Sequence, residues 1–253
     1  MLILQSQAVK EAWLHITYIL YDWMNKTIGI LTAMSVEHRQ VSAMLEGVAT
    51  ERGVAFGYTI GSLGGNRVVL QQCGIGKVNA ASGVTDMILR HHPDCIVSTG
   101  VAGGIDSSLH VMDVVVGKAT CYHDVFCGDD CDPGQVQGLP RCFLGDETLV
   151  GKALGIRSSV RIVGGLICTG DRFVTGRKEL EGIKADYSDG LAVDMESAAI
   201  AQVCHIYGVP FVSFRIISDT PGAEGHFQQY LDFWDTMADK SFAVTKAFLQ
   251  ALS

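Results

Sequence analysis

Proline is scarce in this chain, and no stretch of 18 consecutive apolar residues occurs anywhere along its 253 residues. The second absence leaves no candidate membrane span. Positive charge is also in short supply: 19 Lys and Arg stand against 27 Asp and Glu, a formal net charge of −8. Such a balance repels a polyphosphate backbone and argues against nucleic-acid polymers as partners. The acid is spread along the chain, with no acidic tail. Linkers, repeats and low-complexity tracts are missing as well, so one domain is expected. Residues 1–23 lack a basic region and a small-residue cleavage site, which argues against a secretory signal. They read as an appended segment or a mis-assigned start, and Met24 opens the domain expected over 24–253.

What is present is apolar. Hydrophobic residues make up 48% and charged residues 18%, which suits one large core. The eight cysteines lie mostly inside apolar runs, as Cys95 does in DCIVSTG and Cys168 in GGLICTG. Buried free thiols in a reducing compartment account for them, and a cytoplasmic location is expected. Cys121, His123, Asp124, Cys127 and Cys131 lie close together. Their spacing lacks a Cys-x2–4-Cys pair at both ends, so a subunit-interface loop is expected there and no metal.

Apolar runs alternate with helical spacing. The run 27–34 suits a central strand buried on both faces. A helix is expected from Glu37 to Leu45. Residues 53–74 read as meandering strands with a hairpin turn at Gly64-Gly65-Asn66. A helix over 77–92, a strand 95–104 running into a glycine loop, a strand 113–124 and a long loop 125–143 follow. Strands 160–173 and 190–196, a helix 197–208, a strand 210–219 and a closing helix 227–252 complete the chain. This alternation predicts an α/β class, a three-layer α/β/α sandwich with a mixed, largely parallel central sheet. Ligands of such sheets bind at the carboxyl ends of the strands. Four strand ends carry polar residues that a plain core does not need: Glu37, the glycines 100–104, Met195-Glu196, and Arg215 with Ser218-Asp219. Each has a local alternative. Glu37 suits a first helical turn, and Glu196 and Asp219 suit helix caps.

The ordered motifs GILTAMSVE, GIGKVNAA, TGVAGG, YHD, GQVQGLP, TGDRFV, VDMESAAIAQVC and FRIISD resemble those of the 5′-methylthioadenosine/S-adenosylhomocysteine nucleosidases. VDMESAA, RIISD and AMSVE are the most specific, and the likeness spans about residues 27–250. It implies a nucleoside phosphorylase-like fold and cleavage of adenine from a ribosyl sulfide, with no metal or organic cofactor. Asp219 matches the general acid that protonates the purine at N7. A free aspartate has a pKa of about 3.9, and raising it to about 7 costs roughly 4 kcal/mol. Glu37 matches the residue that deprotonates the attacking water, and Glu196 the acceptor of the ribose hydroxyls. Ala33, Met34 and Met195 match residues beneath the sugar. Phe173 and Val174 match the base site, Phe173 stacking on adenine. Gly103, Arg215 and Ser218 complete the expected substrate contacts, Arg215 and Ser218 orienting the carboxylates and water. Phe227 and Tyr230 match a lid over the 5′ group. Core packing is the alternative for Met34, Met195 and Phe173.

The resemblance further implies a homodimer joined through residues 120–143, acting on a small adenine nucleoside. Family phosphorylases carry arginines beside the phosphate, and none precedes the glycines here. Val101 stands where the family often has Ser or Thr, and the 122–143 loop departs from the common bacterial pattern. Three other functions remain open: a phosphorylase, a hydrolase of aminofutalosine, and a non-catalytic nucleoside binder. The binder has no need of a water-activating base.

Overall fold

The computed structural model describes residues 26–221, 225–234 and 238–252. The expected appendage 1–23 lies outside the described residues. The chain opens with strand β1 (Thr27–Thr32), helix α1 (Ser35–Ser42) and strands β2 (Glu46–Arg52), β3 (Gly57–Leu63) and β4 (Asn66–Gln72). Helix α2 (Lys77–His91), strands β5 (Cys95–Gly104), β6 (Val114–Tyr122) and β7 (Cys142–Leu144), helix α3 (Glu147–Leu154) and strand β8 (Ile162–Thr169) follow. The chain continues through α4 (Arg177–Asp186), β9 (Gly190–Asp194), α5 (Ser197–Tyr207), β10 (Phe211–Asp219), α6 (His226–Asp232) and α7 (Ala238–Ala251).

The strands form one mixed sheet, and its two longest ladders, β5 with β10 and β6 with β8, are parallel, as is β1 with β4. Helices α1, α3 and α7 pack on one face with Val41, Leu149, Phe242 and Phe248. Helices α2 and α5 cover the other through Val84, Met87, Ala198 and Ile200. Both faces are therefore apolar, which explains the unbroken hydrophobic runs of the central strands.

The sheet also closes on itself. Strand β5 pairs with β10, β10 with β6, β6 with β8, β8 with β9, and β9 returns to β5. The apolar cluster of Ala102, Val115, Ile167, Ala192 and Ile217 draws one residue from each of these five strands. Closure leaves one edge of β5 shared. Its first half pairs with β1, through Cys95–Ser98, and its end pairs with β9, through Gly103 and Gly104. Between them, among the described residues, no strand pairs with Thr99–Ala102 on that edge, and a cleft opens where the neighbouring strands part.

Several local expectations change. The glycines 100–104 continue strand β5 and do not form a loop. Their missing side chains serve close approach: a Cβ on Gly100 would sit near Glu37 and Arg215, and one on Gly103 near Pro221 and Val193. The turn before β4 is as tight as its sequence suggests, with Leu63 paired to Asn66 and positive φ at both Gly64 and Gly65. Two helices, α6 and α7, occupy the region of the single closing helix. Strand β2 and helices α3 and α4 stand where no element was expected. Every residue of β2 is exposed, so it carries no alternation to read.

Candidate active site

Glu37 is the third residue of α1, immediately after β1 ends, and it is only 2% exposed. Its Oε2 accepts the backbone N–H groups of Ala33 at 3.0 Å and Met34 at 2.9 Å. Its Oε1 accepts the N–H of Val101 at 3.1 Å, from the stretch of β5 between its β1 and β9 pairings. A carboxylate has about four acceptor positions. Three are filled by the backbone, and the remaining one is on Oε1. Burial raises the pKa of Glu37, while Arg215 and the three N–H groups oppose the rise. A carboxylate made more basic by burial is suited to taking a proton.

Glu196 lies in the turn between β9 and α5. It makes no side-chain cap bond, which removes the capping alternative. Instead its Oε1 accepts the N–H of Gly76 at 2.9 Å. Gly76 has φ +94°, a conformation that favours glycine and aims that N–H inward. Burial first, and then the negative charge of Asp194, pushes Glu196 up to about 7. Asp219 ends β10, is 2% exposed, and receives the Ser218 hydroxyl on Oδ1 at 2.7 Å. The register of β10 against β5 slips between Ile217 and Asp219. Ser218 is the extra residue, and both it and Asp219 face the same cavity.

That cavity gathers residues from opposite ends of the chain. Its walls include Ala33, Met34, Glu37, Gly103, Phe173, Val174, Met195, Glu196, Ser218, Asp219 and Tyr230, around about 620 Å³ of empty space with its mouth included. Three separated carboxylates thus meet at one point. Phe173 stands edge-on to Tyr230 with ring centroids 5.5 Å apart, and the Tyr230 hydroxyl approaches the Met34 sulfur at 3.6 Å. These aromatics cover one side of the mouth.

Two expected contacts lie elsewhere. Arg215 does not line the cavity: it is 1% exposed and lies beneath it, because strand β10 points it into the sheet interior. Phe227 is 55% exposed and stacks on Tyr230 at 6.5 Å, outside the described wall. Conversely, Ile75, Val101, Arg172 and Asp194 line the cavity without having been singled out as contacts. For Asp194 a signal existed. Arg215 is the lone charge within the apolar run FVSFRII, and a buried charge requires a partner. Around the rim, Lys77 pairs with Asp124 at 2.8 Å, so Asp124 is engaged as a structural ion. Among the described residues, no group of three or more His, Cys, Asp or Glu side chains is placed to hold a metal ion.

Gly100 explains why this strand must be bare at its centre. A Cβ there would lie 2.4 Å from Glu37 Oε1 and 2.8 Å from Arg215 Nη1, both fully buried groups with little room to move. Gly100→Ala is expected to displace Glu37 and lower kcat by up to about 10²-fold, the scale of a 1 Å misplacement. Steady-state kinetics beside an unchanged circular dichroism spectrum checks it.

The phosphorylase superfamily model matches residues 27–250. A 5′-methylthioadenosine/S-adenosylhomocysteine nucleosidase from Bacillus thuringiensis is 40% identical over 211 residues, covering 81% of this chain and 91% of its own. The crystal structure of such a nucleosidase from Colwellia psychrerythraea, in complex with adenine, is 35% identical with a TM-score of 0.85, covering 90% of this chain and 96% of its own. One from Neisseria meningitidis, in complex with methylthio-immucillin-A, is also 35% identical, with a TM-score of 0.84 and coverage of 89% and 99%. The motifs, the closed mixed sheet and the relatives converge: the chain belongs to the 5′-methylthioadenosine/S-adenosylhomocysteine nucleosidase family of the phosphorylase superfamily.

Proposed function

We propose that this protein hydrolyses the N-glycosidic bond of 5′-methylthioadenosine and S-adenosylhomocysteine, releasing adenine. The observation that carries the choice of water over phosphate is the charge of the cavity wall. Its described residues include four carboxylates, Glu37, Asp194, Glu196 and Asp219, and one cation, Arg172. Arg172 is ion-paired with Glu179, and Arg215 below is bonded to Asp194. With Asp194 paired to Arg215 and Asp219 protonated as the acid, a phosphate dianion would still meet Glu37 and Glu196, whereas water needs only an acceptor.

Each group then has a task. Glu37 accepts a water proton at its open Oε1 position and directs the oxygen at the anomeric carbon. Glu196 accepts hydrogen bonds from the ribose hydroxyls, and its charge favours the cationic sugar of the transition state. Asp219, fixed by Ser218, gives its proton to the departing adenine. Phe173 stacks on the base, while Met34 and Met195 form the apolar floor under the sugar. No metal or organic cofactor has a task in this scheme. Among the described residues no helix is long and apolar enough to cross a membrane, and we place the enzyme in the cytoplasm, where its thiols stay reduced. A second copy of the chain is proposed to pack on the 120–143 region, where Phe126 is exposed.

Adenine release from methylthioadenosine in phosphate-free buffer tests the reading, with inosine and aminofutalosine as comparison substrates. Turnover with methylthioadenosine and adenosylhomocysteine is expected without phosphate; strict dependence on phosphate would establish a phosphorylase instead. Because Glu196 must be ionised to accept the ribose hydroxyls, kcat/KM is expected to fall as the pH drops below about 7. A profile flat from pH 5 to 8 would contradict its assigned role.

A further inference from the structure

The buried cluster beneath the cavity contains more negative charge than the reaction groups require. Asp194 and Arg215 form an ion pair with Nε to Oδ2 at 2.8 Å, and both side chains are almost wholly enclosed. Asp194 accepts on both oxygens: from the Thr169 hydroxyl at 2.6 Å on Oδ1 and from the Ser197 backbone N–H on either oxygen, the Ser197 hydroxyl adding a further bond. The same guanidinium reaches the Ser98 hydroxyl through Nη2 at 2.8 Å. One edge of the arginine is thus fully spoken for. Its other corner, Nη1, lies beside Gly100, within 2.8 Å of the point that is also 2.4 Å from Glu37 Oε1.

We propose that Asp194 is a positioning residue of this site, clamping Arg215 by its Nε edge so that Nη1 stays beside Gly100, beneath Glu37, and the guanidinium is committed to Asp194 rather than to Glu37 or Glu196. Three carboxylates, Glu37, Asp194 and Glu196, surround one guanidinium. The clamp commits that guanidinium to Asp194 and leaves Glu37 and Glu196 to feel its charge only at a distance. Asp194 itself also acts on Glu196 as a like charge. The other titratable groups facing the cluster are Cys73 after β4, His123 after β6, Asp219 at the end of β10 and Tyr230 on α6.

The inference deepens the nucleosidase reading and rests on it for its kinetic part. Its direct test is a carbon-13 carboxyl NMR titration of the ligand-free protein, native against Asp194→Asn. Removing the negative charge and releasing Arg215 both favour ionised Glu37 and Glu196. Their midpoints are expected to fall by about one pH unit, and the acid limb of kcat/KM to move down with them. A merely structural Asp194 would lower activity or thermal stability and leave the midpoints in place, which would overturn the proposal. Asp194→Glu guards against a folding defect, since it keeps the charge but pushes the guanidinium by one methylene. It is expected to keep the midpoints and lose about tenfold or more in kcat with little change in KM. Native kcat in that variant would also overturn the proposal. Should the native enzyme release no adenine, the nucleosidase reading fails, while the titration still decides the role of Asp194.

Discussion

Asp219→Asn is expected to lower kcat for adenine release by about 10²–10⁴-fold, the range of a positioned acid, with KM close to native. The asparagine amide is nearly isosteric and can still accept the Ser218 hydroxyl bond made at 2.7 Å. Only the transferable proton is lost. A leaving group that needs no proton separates chemistry from packing. In a nitrophenyl 5′-thioriboside the nitrophenolate departs as a stable anion, so the variant should cleave that substrate at nearly the native rate. Equal losses on both substrates would show that Asp219 holds the fold together and does not protonate the base.

Glu37→Gln is expected to reduce kcat on a similar scale, about 10²–10⁴-fold, for two reasons. The amide cannot accept a proton from water. It also cannot accept three backbone N–H groups as the carboxylate does, from Ala33, Met34 and Val101. Either orientation turns its NH₂ toward at least one backbone donor, Val101 or the pair Ala33 and Met34, an unfavourable contact for a buried group. The adenine site is formed by other residues, so adenine affinity, measured by calorimetry, should change little. Native turnover in Glu37→Gln would remove the water-activating role.

The sequence marked the carboxylates that line the cavity because their signals are local. An apolar run such as 27–34 must be a buried strand, and the polar residues just beyond such strands must face a ligand or a cap. Glu37, Glu196 and Asp219 were all reachable in this way, and the family motifs supplied their chemistry. What the sequence concealed is non-local. The closure of the sheet depends on β10 pairing with β5, strands more than a hundred residues apart. No turn signal announces it. The glycines 100–104 looked like a loop because glycine is a loop residue by habit, yet here they permit close packing within a strand. Asp194 lay inside VDMES as one more residue of a motif. Its meaning depends on Arg215, whose burial becomes clear only when both flanking sheet faces are filled. Strand β2 is exposed throughout and so leaves no hydrophobic pattern.

The arrangement of charge makes one claim central: the oxygen that replaces adenine on the sugar comes from water. Its most direct test is turnover of methylthioadenosine in ¹⁸O-labelled water containing millimolar phosphate, followed by mass spectrometry of the sugar product. A free thioribose carrying one ¹⁸O atom, formed at a rate independent of phosphate, is the predicted result. A thioribose 1-phosphate without label would contradict it.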